Sequence, residues 1–529
     1  MFGAMRPPAW TSIRHGLHIR EISTLFHPLW EARYLTGCRF FPPQPDWGTV
    51  PRIFASDAFD WHCWHGGGAG WREVRRFEDD RPLAEAELPP RRMEPETDFT
   101  VADGEVRFRE YGCFRVGFEF EGTGTILIGW HECAEAEARP KEDAPAESRF
   151  DRFDIAGGGV LHWHDFDFRA GCAMEFRTTG SARIVAMNFF LTGYPFRYKV
   201  DFRDPEPAAE LLLEKARRTL ECCTLETYMD CPYYERLQYI GDSRVEMLST
   251  YCVTDDTRLP EKALRLFADG QRSDGILPAR FPSHDDPDRY DCCTISSPII
   301  PGFSLIYPQM LHDFAKLRRN DALVRELLPA VRRSLFAAAA RREEGVLTGM
   351  PGWNFIDWLP GWENGTPPFC ADGCGCTLNW IFLRSLRDWA DLERHFGSAE
   401  LAAAAEFLAA ETEKAADERF FDRKNGCYAE DERHRYFSEH AQVWAVIATG
   451  RKEPLEILRK RAFDRCGIYF SFYFLEACRY CGASELFAER MRCYRELAER
   501  TPRGMPLPEE CAHWRSWCHA WSSNSLYFK

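Results

Sequence analysis

Between Asp230 and Asp242 the chain reads Asp-Cys-Pro-Tyr-Tyr-Glu-Arg-Leu-Gln-Tyr-Ile-Gly-Asp, with the carboxylates of Asp230, Glu235 and Asp242 set among aromatic rings. Pro232 suits the first turn of a helix, where its missing N–H costs nothing. A helix begun there places Glu235 and Asp242 two turns apart on one face, roughly 10 Å along the axis, with Tyr239 between them. Most acids on helices are simply solvated. Acids that share a stripe with aromatics are costly unless that stripe lines a polar cleft. Such a cleft has the chemistry of a sugar site, because rings offer apolar platforms and carboxylates donate or accept protons.

Two further segments carry the same residue types. Trp353-Asn-Phe-Ile-Asp357-Trp358 is followed by Trp362. Its tryptophans offer stacking faces and Asp357 a carboxylate for hydroxyls, although the same residues also suit an aromatic plug between helices. Near the other end, Gly504-Met-Pro-Leu-Pro-Glu509-Glu510 precedes Arg515-Ser-Trp-Cys-His519-Ala-Trp521. Here His519 is read either as a ligand for sugar hydroxyls or as a satisfied structural residue. Ser273-Asp-Gly-Ile-Leu-Pro278 reads as a turn that also suits the rim of a pocket.

The elements that must position these residues change character along the chain. Before about residue 200 the apolar residues alternate: Val106 and Phe108, then Phe114, Val116, Phe118 and Phe120, then Ile126, Ile128 and Trp130. That period of two predicts strands, with a hairpin turn at Gly122-Thr-Gly124. Further strands are expected near Val160–Trp163, Ala173–Phe176 and Ile184–Phe190, and a polar surface loop over 132–147. Short strands with frequent turns predict a β-sandwich over 100–204. Residues 1–99 are expected to form a separate region, read as β without an assigned fold, and the stretch from Phe40 to Trp71 stays unassigned. From about Pro205 helical patterns succeed one another: 206–222, 234–253, 259–271, 302–318, 321–342, 373–396, 399–416, 437–449, 453–461, 469–481, 483–499 and 515–527. No fixed repeat is visible, which disfavours a regular solenoid. About twelve helices suit six hairpins closed into an (α/α)6 toroid over 205–529.

Composition narrows the function classes. The 529 residues are 45% apolar and 28% charged, a soluble multidomain profile. The net charge of -15 argues against nucleic acid or an anionic membrane as partner. No run of apolar residues is long enough to span a bilayer, and no signal-peptide core is visible, so the cytoplasm is the expected location. The 21 cysteines are odd in number and irregularly spaced, with neighbours at Cys222-Cys223 and Cys292-Cys293, unlike a disulfide scaffold. Neither Cys370, Cys374 and Cys376, nor Cys478 and Cys481, nor His62, Cys63 and His65 has metal-site spacing. Gly66-Gly67-Gly68 lacks the Lys-Ser or Lys-Thr of a phosphate loop. No metal or organic cofactor is expected, and the oligomeric state stays open.

The segment from Asp230 to Asp242 resembles the acidic motif of bacterial α-L-rhamnosidases, glycoside hydrolase family 78. That motif runs Asp-Cys-Pro, then Glu-Arg, then an aromatic residue and Gly-Asp; Tyr239 stands where many members have Trp. The loop from Trp353 to Trp358 is similar to a second family segment, as is the one at Ser273. The C-terminal pattern of Gly, then Glu, then Cys-His-Ala-Trp is similar to a third, with Pro506-Leu507 in place of the usual Thr-Thr. The resemblance covers about 205–529 and, more weakly, 100–200. It implies an (α/α)6 barrel with β-sandwich packing and an inverting hydrolase for terminal α-L-rhamnose. Glu235 falls on the general acid. Counting back from Arg515 puts the general base at Glu509, and counting forward from Gly504 puts it at Glu510; the reading prefers Glu509. Asp230, Tyr239, Asp242, Trp353, Asp357, Trp358, Trp362, His519 and Trp521 are the expected substrate-binding residues. The competing readings are a toroid hydrolase or lyase for another deoxy or uronic sugar, and a noncatalytic carbohydrate-binding relative.

Overall fold

The computed structural model describes residues 88–133, 150–165, 167–282, 298–510 and 516–529, and the backbone of six short strands between residues 13 and 73. His62, Cys63, His65, Gly66 to Gly68, Cys292, Cys293, Arg515 and most of the 132–147 loop lie outside the described residues. The chain divides into two compact units. One holds Met1–Tyr194 and, from the acidic segment, Tyr233–Glu235; the other holds Pro195–Pro232 and Arg236–Lys529.

Every described element of the first unit up to Tyr194 is a strand. A ten-stranded sheet forms around the long strand Glu105–Glu121, which pairs with Phe99–Ala102, Leu161–His164, Arg169–Thr178 and Arg183–Gly193. Strands at 38–40 and 52–55 belong to the same sheet, so it runs across residue 100. The alternating residues behave as the period-two pattern dictates: Phe114, Val116, Phe118, Phe120, Ile126, Ile128 and Phe153 are all buried in one apolar cluster. Phe118 stacks on Trp163, and Phe108 on both Phe114 and Trp130.

The expected hairpin at Gly122-Thr-Gly124 does not form. Arg169–Thr178 inserts between the two strands that this turn connects. The glycines serve another purpose: a Cβ on Gly122 would stand 2.1 Å from the Ser181 carbonyl oxygen, and one on Gly124 2.0 Å from that of Thr179. They let the turn lie against residues 179–182, where Thr123 and Ser181 exchange hydrogen bonds.

The second unit is helical: α1 Pro207–Cys222, α2 Ile240–Val253, α3 Arg258–Asp269, α4 Pro301–Leu317, α5 Asp321–Ala339, α6 Cys376–Phe396, α7 Ala399–Phe420, α8 Glu439–Thr449, α9 Glu453–Leu458, α10 Ile468–Cys481 and α11 Ser484–Arg500. Helices α2, α4, α8 and α10 are buried nearly all round, whereas α3, α7 and α11 bury one face. All-round burial marks interior helices and one-sided burial marks outer ones. The interior helices touch in succession, α2 on α4, α4 on α6, α6 on α8 and α8 on α10. The last segment, Ala520–Phe528, packs on α10 and returns to α2. That segment is a 3-10 helix and not the α-helix expected over 515–527. Its serine side chains bond to nearby carbonyls, Ser523 to Ala520 at 2.8 Å and Ser522 to Pro508 at 2.6 Å, which competes with regular helix. Among the described residues no helix is long and apolar enough to cross a membrane.

Candidate active site

The acidic segment is a closed loop, and the helix predicted from Pro232 begins only at Ile240. Asp230 explains the delay. Its Oδ1 accepts the Leu237 N–H at 2.9 Å, its backbone N–H donates to the Leu237 carbonyl at 2.9 Å, and the Cys231 thiol donates to its Oδ2 at 2.9 Å. These bonds tie the loop at its neck and leave Arg236 at φ 57°, outside helical space. Glu235 and Asp242 therefore do not share a helix face. Glu235 is half-buried at the loop tip, and beside it the Tyr233 hydroxyl donates to the Trp130 carbonyl at 2.6 Å. Tyr239 is the residue that caps α2, and Asp242 lies in the first turn, where the helix dipole favours a negative charge. The glycine before Asp242 has a packing reason: a Cβ on Gly241 would meet the Phe303 ring at 2.4 Å and the Tyr469 hydroxyl at 2.6 Å.

Glu509 is held by a short pairing of the last two segments. Its N–H donates to the Ser516 carbonyl at 3.0 Å, and the His519 N–H donates to Leu507 at 3.1 Å. Its own carbonyl accepts the Trp521 indole N–H at 2.9 Å. The strand carrying it is fixed to α1: the Thr219 hydroxyl accepts the Leu507 N–H at 2.8 Å, and the Lys215 ammonium donates to the carbonyls of Pro502 and Met505 at 2.8 and 3.0 Å. Burial lowers that ammonium to about 8. Glu509 is buried, whereas Glu510 is half-buried.

His519 joins two of the acids. Its Nδ1 lies 3.7 Å from Asp242 Oδ1 and its Nε2 3.8 Å from Glu509 Oε1. At these separations the three side chains lie just beyond direct hydrogen-bond distance of one another. Asp242, Glu509 and His519 are only 2, 4 and 4% exposed, so the three side chains meet away from bulk water. The Ala520 N–H donates to the Asp230 carbonyl at 2.7 Å, which brings the acidic loop's neck to the same segment.

Rings connect the remaining residues. Trp521 lies against His519 at 3.9 Å and stacks on Tyr469 at 5.1 Å. Tyr469, Tyr239 and Phe355 each meet Phe303, at 6.1, 6.3 and 6.0 Å. Phe355 continues to Trp353 and Trp358 at 4.9 and 5.1 Å. The structure thus brings Tyr239, Trp353, Trp358, His519 and Trp521 into one aromatic assembly around Phe303, a residue that sequence reasoning missed. Trp362 lies at its side, against His440 at 4.7 Å, with its indole donating to Tyr436 at 2.6 Å.

Asp357, predicted to hold sugar hydroxyls, makes its described bonds inside the protein. Its Oδ2 is 2.9 Å from His440 Nε2 and accepts the Gly467 N–H at 2.7 Å, and its Oδ1 accepts the Trp358 N–H at 3.0 Å. This carboxylate fastens the tryptophan loop to α8 and to the start of α10. The Ser273 loop is a turn, in which Asp274 accepts the Ile276 N–H at 3.0 Å and binds Arg272.

Residues 201–443 match the model of the bacterial alpha-L-rhamnosidase 6 hairpin glycosidase domain. These residues are similar to a six-hairpin glycosidase domain of the bacterial α-L-rhamnosidase type. Solved structures agree in fold. A family 78 rhamnosidase of Bacillus sp. GL1 superposes with a TM-score of 0.68 at 21% identity, over 89% of this chain and 50% of that one. A rhamnosidase from Klebsiella oxytoca with rhamnose bound gives 0.68 at 18% identity, over 87 and 91%. The Streptomyces avermitilis α-L-rhamnosidase complexed with L-rhamnose gives 0.66 at 15%, over 95 and 51%. The chain therefore spans about half the length of two of these relatives and most of the third. Comparison by sequence with curated proteins gives no match.

The rhamnosidase-like domain also buries an acid that the sequence did not single out. Glu246, one turn beyond Asp242 on α2, is 0% exposed, and neither carboxyl oxygen has a hydrogen-bond partner among the described residues. Burial, with Cys223, Asp242 and Asp230 adding to it, holds its carboxyl well above the usual carboxylate range. The unfolded chain ionises this group near its ordinary value, so its stabilising share is present in acid and is lost as pH rises. Glu246→Gln, which mimics the protonated form, is expected to raise the melting temperature at neutral pH and to converge with the parent toward pH 4. Equal melting temperatures throughout would place a charged Glu246 in the native state.

Proposed function

We propose that the chain is an inverting glycoside hydrolase that releases terminal α-L-rhamnose from oligosaccharides or glycoconjugates. The observation that carries this reading is His519 set between the buried carboxylates of Asp242 and Glu509, beside an aromatic assembly of the kind a sugar ring stacks on. Glu235 protonates the glycosidic oxygen. Glu509 draws a proton from water, which attacks the anomeric carbon from the opposite face. Its selection over Glu510 rests on burial, on backbone bonds that fix its place and on the imidazole beside it. Asp242 binds hydroxyls or the developing positive charge, His519 hydrogen-bonds hydroxyls, and Asp230 holds the loop that carries Glu235. Tyr239, Trp353, Trp358 and Trp521 supply apolar faces, while Asp357 and Trp362 secure the tryptophan loop.

In this reading the helical unit is an (α/α)6 toroid, supported by the succession of interior helices that returns to α2. The sheet-rich region supplies a β-sandwich at about 100–204, whose sheet also takes in strands from residues 1–99, and the catalytic domain spans 205–529. The substrate is a carbohydrate, neither nucleic acid nor membrane is engaged, and the cytoplasm is the place of action. The deciding experiment is a panel of aryl glycosides: α-L-rhamnoside, α-L-fucoside, α-L-arabinoside and β-D-glucuronide. The α-L-rhamnoside is expected to be the best substrate. A better β-D-glucuronide, or binding without turnover of any of the four, would overturn the assignment.

A further inference from the structure

One face of α1 runs along the segment that carries Glu509. Lys215, Thr219 and Cys223 follow one another at the spacing that aligns side chains on successive helical turns, and all three are buried. Each meets a different point of the C-terminal segment. The Lys215 ammonium donates to the carbonyls of Pro502 and Met505 at 2.8 and 3.0 Å. The Thr219 hydroxyl accepts the Leu507 N–H at 2.8 Å. The Cys223 sulfur lies 3.7 Å from that of Cys518, directly before His519. The order of the three along α1 is the order of their partners along the segment, so together they define a register.

Residues 502–509 form neither helix nor strand. Their backbone groups therefore depend on partners outside the segment. Thr219 is committed as an acceptor, because its one hydroxyl proton goes to the Lys215 carbonyl at 2.8 Å and leaves the lone pairs for Leu507. Lys215 makes its described hydrogen bonds to carbonyls and not to a carboxylate. A buried ammonium so placed is costly for stability, and what it supplies in return is a fixed position for the peptide it holds. That peptide organises the site. The Leu507 carbonyl accepts the His519 N–H at 3.1 Å, and two residues further on the Glu509 N–H donates to the Ser516 carbonyl at 3.0 Å.

We infer that Lys215 and Thr219 are positioning residues of the reaction: the buried face of α1 sets where Glu509 and His519 stand, although neither α1 residue touches substrate. The inference rests on the glycosidase reading for what Glu509 does, but the register can be tested without turnover. In the whole parent protein, hydrogen exchange followed by mass spectrometry is expected to protect the amides of 505–509 as strongly as those of α1. Fast exchange of that segment in the parent overturns the inference on its own, whether or not any variant folds. Thr219→Val keeps the shape and removes the acceptor, and Lys215→Met removes the ammonium. Each is expected to speed exchange at 505–509 while α1 stays protected. Each is also expected to lower kcat on an aryl α-L-rhamnoside by about ten- to a hundredfold with KM nearly unchanged, the loss that a small misplacement of a catalytic group produces. Thr219→Ser restores the hydroxyl and is expected to recover most of the parent kcat. A parent kcat in folded Thr219→Val and Lys215→Met would overturn the inference, as would a loss in Thr219→Val that Thr219→Ser shares, which would mark a packing role. The two readings fail separately: a parent that protects 505–509 and turns over no glycoside keeps the register and removes the glycosidase reading.

Discussion

Glu509→Gln is expected to lower kcat on an aryl α-L-rhamnoside by about 10²–10⁴-fold, the range lost with a positioned general base. Glu510→Gln is expected to leave it close to the parent value. The contrast follows from the local structure. The backbone of Glu509 is bonded on both sides, to Ser516 and to the Trp521 indole, and its carboxylate lies 3.8 Å from the His519 ring. Gln keeps the shape of Glu509 and removes only its ability to accept the proton. Azide sharpens the test, because a small anion attacks the anomeric carbon without needing a base. Rate recovery in Glu509→Gln with added azide, and a glycosyl azide of inverted configuration as product, would place the lost carboxylate on the face of the sugar opposite the leaving group. A full rate in Glu509→Gln alongside a dead Glu510→Gln would move the base to the neighbour. Equal rates in both would remove the general-base role from this segment.

The sequence was most legible where a period decides the answer. Strand patterns ended and helical patterns began close to Pro205, and the structure changes from strands to helices between Gly193 and Pro207. Most predicted helix starts fall within two or three residues of the observed ones, since an apolar stripe and a capping serine or asparagine act locally; Asn320, Ser398 and Ser438 each accept a bond from the first turn that follows. Local rules failed where distant backbone competes. Pro232 signalled a helix, but Asp230 captured the Leu237 N–H and kept the segment a loop. Gly122 and Gly124 signalled a hairpin, but they serve to admit residues 179–182. The candidate acids stood out by type and by their aromatic neighbours, whereas Phe303 and Tyr469 did not, because they are core-like aromatics within interior helices. The preference for Glu509 over Glu510 rested on counting from flanking residues alone, because adjacent residues differ only in which way the chain turns them.

Glu235→Gln is expected to reduce turnover of natural rhamnosides by a factor comparable to that for Glu509, and turnover of aryl rhamnosides with very good leaving groups far less. A leaving group that departs as a stable anion needs little protonation, so the loss should grow as the leaving group's pKa rises. A uniform loss across leaving groups would assign Glu235 to binding or to loop structure, which its place among Tyr233, Tyr234 and the tied neck of the loop makes a real competitor. The stereochemical course separates the mechanisms. In an inverting enzyme the acid and base stand roughly 6.5–9.5 Å apart, with a water between base and sugar. Proton NMR taken early in hydrolysis of an α-rhamnoside by the parent should then show β-rhamnose first, with the α-anomer growing in by mutarotation. If α-rhamnose appears first, Glu509 acts as a nucleophile. A crystal structure with rhamnose bound should then place its carboxyl about 5 Å from that of Glu235. In that case azide rescue of Glu509→Gln would still give a β-azide, because the anion enters from the face the nucleophile vacated. The product of the parent reaction, and not the rescue, is therefore the measurement that decides between inversion and retention.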